Sequence, residues 1–125
     1  MEKFVTDFVI DYMKRHTNSR KPITNQKLDL LLQTELGCTQ FHESGIRALI
    51  HYIRLHVDIV NENQEKGWIC GVSDGYYLSY NAVHILTHLQ AFEGKIRKMM
   101  LVHERGMSLL VNKLYYKQAE FDFKD

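Results

Sequence analysis

His84 and His88 stand four residues apart, a spacing that brings two imidazoles to one face of a helix and would begin a metal site. Between them lie Ile85, Leu86 and Thr87, so the Glu of a zinc-hydrolase helix is missing and no third ligand is marked out. Cys38 and Cys70 are far apart, without a CxxC spacing, and read as reduced structural thiols. Cys70, beside Trp68 in a β-prone run, reads as a small core residue rather than a nucleophile. Glu62 and Glu65 form a carboxylate pair in a polar stretch that reads as solvated surface. No nucleophile elbow, phosphate loop or dinucleotide fingerprint occurs, so neither an enzyme nor a cofactor is expected.

The residues that remain suit binding chemistry. Arg47, His51 and Arg54 follow i, i+4, i+7 and form one line along a helix. Arginine reaches guanine edges or phosphates in bidentate geometry, and histidine adds a donor whose charge changes near neutral pH. Between Tyr12 and Leu28 stand five cations, Lys14, Arg15, Arg20, Lys21 and Lys27, with no acid among them. Such a cluster supplies phosphate contacts, which position a protein without reading sequence. The stretch from Asp58 to Gly75 is acidic, with Asp58, Glu62, Glu65 and Asp74 against Lys66 alone. The chain's net charge of +1 therefore sums a basic and an acidic region.

The elements that must hold these residues follow from periodicity. With 125 residues and 45% apolar content, the chain has room for one packed domain. Phe4, Phe8 and Tyr12, beside Val5, Val9 and Met13, predict an amphipathic first helix ending near His16. "TNSRKP" reads as a loop, and Thr24 or Asn25 as the N-cap of a second helix through "NQKLDLLLQTEL" that Gly37 stops. Leu28, Leu31, Leu32 and Leu36 should face inward on it. A third helix over "HESGIRALIHYIRLH" should bury Ile46, Leu49, Ile50 and Ile53.

The period then changes. "VDIV" suggests a short strand, and "WICGV" and "YYLSY" flank the turn signal "SDG", which predicts a hairpin. Tyr76 and Tyr77 alternate across it, so one should pack inward and the other face the surface. From Asn81, an expected N-cap, a helical period runs to about Tyr116. Its apolar seam of Ile85, Leu89, Phe92, Ile96, Met99, Met107, Leu110 and Leu114 is close to heptad spacing, with an irregularity at His103. Such a helix wants a partner, and Gly94 and Gly106 weaken it.

The fold class expected is mainly α with a small β-hairpin (α+β). Residues 1–80 should form the folded core, 81–116 a long C-terminal helix, and 117–125 a tail. No run of about 18 apolar residues is present, and the charged start "MEKFVTDFVIDYMKRH" is unlike a signal peptide, so a cytoplasmic protein with no membrane partner is expected.

"PITNQKLDLLLQTELGCTQFHESGIRALIHYIR" resembles the helix-turn-helix of winged-helix domains, and "WICGVSDGYYLSYN" resembles their wing, above all in small phage and bacterial proteins. The resemblance covers Pro22 to Asn81. It implies a non-catalytic protein that binds double-stranded DNA as a regulator of transcription or replication. Thr39, Gln40, His42 and Ser44 would then enter the major groove first, followed by Arg47, His51 and Arg54. The stretch from Asp58 to Lys66 departs from the pattern as an acidic insertion, and the long last helix is an addition that would make a homodimer. A docking module for another protein, such as an inhibitor or assembly factor, is the alternative, because winged helices also serve that role.

Overall fold

The computed structural model describes residues 3–38 and 43–123, the side chains of 43, 44 and 118–123 excepted. The protein is mainly helical with a small three-stranded antiparallel sheet and a long C-terminal helix. Its elements run α1 (Lys3–His16), α2 (Asn25–Leu36), α3 (Glu43–His56), β1 (Ile59–Val60), β2 (Lys66–Val72), β3 (Gly75–Ser79) and α4 (Ala82–Phe123). The chain divides into two compact units, Met1–His88 and Leu89–Asp125.

Local chemistry sets the helix ends. The Thr24 hydroxyl accepts from the Lys27 backbone N–H at 3.1 Å and caps α2. At the other end Gly37 takes φ +66°, and the Gly37 and Cys38 amides return to the Gln33 and Leu32 carbonyls, both at 3.1 Å. The Asn81 side chain caps α4 by accepting from the Val83 amide at 2.8 Å.

The core of the first unit gathers the expected stripes. Val5, Val9 and Met13 of α1 meet Leu28 and Leu32 of α2, and Ile46, Leu49, Ile50 and Ile53 of α3 are fully buried. Leu31 and Leu36 are only partly buried at its edge. Ile69 and Leu78, paired across β2 and β3, close the cluster from the sheet.

The short strand expected in "VDIV" forms as β1, with Ile59 and Val60 paired to Gly67 and Lys66 as the third strand of the sheet. The turn between is held by the Asn61 side-chain oxygen, which accepts from the Asn63 and Glu65 amides at 3.0 and 2.9 Å. The tyrosine pair does not divide into one buried and one open ring. Tyr77 is buried against the root of α4 and Tyr76 is half-buried, because both faces of this strand are covered. Finally, α4 continues past Tyr116 to Phe123.

Candidate functional site

The outward side of α3 holds Arg47 and His51, both exposed and without a side-chain hydrogen bond or ion pair among the described residues. Helical geometry requires this, since the apolar stripe one face away is wholly inside. Arg54 is expected on the same line, and the structure corrects that expectation. The side chain is half-buried, and Nε and Nη2 both donate to the Ile69 carbonyl, at 3.0 and 2.8 Å. The guanidinium carbon lies 5.9 Å from the centroids of both the Trp68 and Tyr76 rings. Burial pulls its pKa below the ordinary arginine value, against weaker opposing effects from Tyr76 and Cys70. Arg54 therefore ties α3 to the sheet, and the line along α3 shortens to Arg47 and His51.

Thr39, Gln40 and His42 lie outside the described residues, and Ser44 falls in the first turn of α3 without a described side chain. The five-cation segment divides. Lys14 Nζ donates to the Val60 carbonyl at 3.0 Å, and Arg15 pairs with Asp11 at 2.9 Å on the same helix. Arg20, Lys21 and Lys27 are exposed, with no side-chain partner among the described residues. The Arg20–Lys21 loop is held by backbone bonds between Asn18 and Lys21 and by the Arg20 amide on the Asn18 side chain.

The hairpin is fastened to the α1–α2 region at two points. Ile23, between α1 and α2, exchanges both backbone hydrogen bonds with Tyr76, at 2.7 and 2.8 Å. Gly75 next to it has φ +143°, and a Cβ there would run into the Ile23 carbonyl. The Thr17 hydroxyl donates to the Met13 carbonyl at 2.7 Å and accepts from the Leu78 amide at 3.1 Å, joining the end of α1 to β3. At the turn of the hairpin, Val72, Ser73 and Asp74 are exposed.

The chemistry first suggested by His84 and His88 is taken up by packing. The His84 ring meets Tyr77 edge to face at 6.1 Å, and His88 Nδ1 accepts from the Trp68 indole N–H at 3.1 Å. Among the described residues no group of three His, Cys, Asp or Glu side chains could hold a metal ion. Cys70 is buried beside these groups, and desolvation pushes its thiol pKa up, with smaller opposing effects from Tyr77 and Arg54. The roles of Trp68, Thr17 and Ile23 have no periodic or motif signal in the sequence.

In α4, Ile85 is half-buried within the first unit. Leu89, Phe92, Ile96, Met99, Met107, Leu110 and Leu114 are exposed along the second unit. Among the described residues no helix is long and apolar enough to cross a membrane. Compared with protein-family models, curated proteins and solved structures, the chain matches none.

Proposed function

We propose that this is a non-catalytic, double-stranded-DNA-binding protein with a winged helix-turn-helix core, working as a cytoplasmic homodimer in transcriptional or replicative regulation of phage or bacterial type. The observation that carries the reading is the pair Arg47 and His51, exposed on α3 opposite a fully buried stripe and without a side-chain partner among the described residues. A guanidinium and an imidazole are presented there on a helix, as base-edge or phosphate recognition requires. Arg20, Lys21 and Lys27 supply further exposed charge for phosphate contacts. The hairpin, tied to Ile23 and Thr17, supports the core first and offers its exposed turn second. Two copies joined through α4 would present paired third helices to successive half-sites.

Protein docking is the second reading. It is favoured by the withdrawal of Arg54 and Lys14 into internal hydrogen bonds and by the exposed apolar residues of α4. Fluorescence anisotropy on mixed-sequence duplex DNA across a salt series separates the two. DNA binding requires affinity that falls steeply with salt and drops in Arg47→Ala. Absence of binding at low salt by the folded protein excludes it and leaves docking.

A further inference from the structure

We infer that the second unit pairs with a second copy of itself with the two α4 helices antiparallel, centred at the height of Arg105. This rests on the reading above that α4 joins two copies, and it supplies the orientation. A stripe running from Leu89 to Lys117 through positions 93, 96, 100, 103, 107, 110 and 114 keeps an unbroken alternation of four and three residues. That is the regular heptad, which the neighbouring seam through Phe92 and Met99 does not sustain beyond His103. Ile96, Met100 and His103 of this stripe, with Met99 beside them, surround a depression in the helix surface with Glu104 at its rim. Their spacing, i, i+3, i+4 and i+7, is that of the four-residue hole that receives one side chain from a facing helix.

The stripe carries two oppositely charged interruptions, Glu93 and Lys117, and these decide the orientation. In a parallel pair each position faces its own copy, setting carboxylate against carboxylate and ammonium against ammonium across the seam. In the antiparallel pair each position faces the one equidistant from Arg105 on the other side. Glu93 then faces Lys117, Ile96 faces Leu114, Met100 faces Leu110 and His103 faces Met107. A shift by one heptad either way leaves Lys117 against Leu86 or Met100. Only the central register neutralises both charges while keeping every other layer free of a like-charge contact. Within its own helix Glu93 already holds Arg97 at 2.7 Å, so its second oxygen remains to meet the incoming lysine.

Sedimentation equilibrium of the full chain tests this, with helicity by circular dichroism confirming that each variant folds. The wild type should be a dimer. Lys117→Glu and Glu93→Lys should each raise the dimer dissociation constant roughly tenfold, because two symmetry-related layers become like-charged. The double exchange should return it to the wild-type value. Lys117→Glu carries the cleaner signal, since Glu93→Lys also removes the Arg97 pair. Unchanged dimerisation in Lys117→Glu, or a double variant as weak as the singles, overturns the antiparallel register and leaves the dimer standing. A wild-type monomer at high micromolar concentration overturns self-association itself, whatever the outcome of the DNA titration.

Discussion

The indole N–H of Trp68, on β2, donates to Nδ1 of His88, on α4, at 3.1 Å. An indole can only donate, so His88 accepts at Nδ1 and its neutral ring carries the proton on Nε2. The bond fixes the first turns of α4 to the sheet at the last residue of the first unit. His88→Ala leaves a half-buried donor unpaired and should destabilise the first unit by about 1 kcal/mol. Trp68 is the single tryptophan, so its emission, red-shifted in the variant, reports the loss directly.

Arg54 and Arg47 should separate stability from binding. Arg54→Ala removes two charge-assisted hydrogen bonds to the Ile69 carbonyl and should lower stability by about 2 kcal/mol. Arg47→Ala should change stability by no more than about 0.5 kcal/mol. Urea titrations of both variants check this, and the anisotropy assay should show the reverse emphasis for Arg47.

Two glycines should respond with opposite signs. Gly75→Ala meets the Ile23 carbonyl at an unfavourable φ and should destabilise by about 2–4 kcal/mol. Gly94 has nothing near a prospective Cβ, so Gly94→Ala should stabilise α4 by up to about 1 kcal/mol. Thermal melts followed at the helical band resolve both.

The Thr17 hydroxyl joins parts of the chain 61 residues apart. Thr17→Val keeps the side-chain shape but leaves the Leu78 amide without its acceptor, and should cost about 1–2 kcal/mol, read as a lower urea midpoint with an unchanged slope.

Alkaline pH should weaken the fold through Cys70. Burial raises its folded pKa above the unfolded value, so the folded state holds the proton more tightly. The resulting stability is fully present below the ordinary thiol range and is lost as pH rises from about 8.5 upward through the folded pKa. Tyr77 and Tyr80, also raised by burial, extend the loss to higher pH. Cys70→Ala should flatten the first part of the curve when urea midpoints are measured from pH 7 to 10.

The helices, their caps and the hairpin were readable in the sequence because each depends on neighbours a few residues away. Thr24 and Gly37 act on their own turns, and the 3.6-residue period puts Ile46, Leu49, Ile50 and Ile53 on one side whatever they pack against. The same local logic placed Arg54 beside Arg47 and His51, and there it failed. Its guanidinium is claimed by a carbonyl on a strand reached only after β1 and its turn. Trp68 with His88, Thr17 with Leu78 and Ile23 with Tyr76 are likewise meetings of distant segments, fixed by the paths of the chain and by the need to satisfy buried polar groups. Periodicity therefore determined which residues could be presented on each helix. Tertiary structure decided which of them the fold consumes and which, Arg47 and His51 foremost, it leaves facing outward.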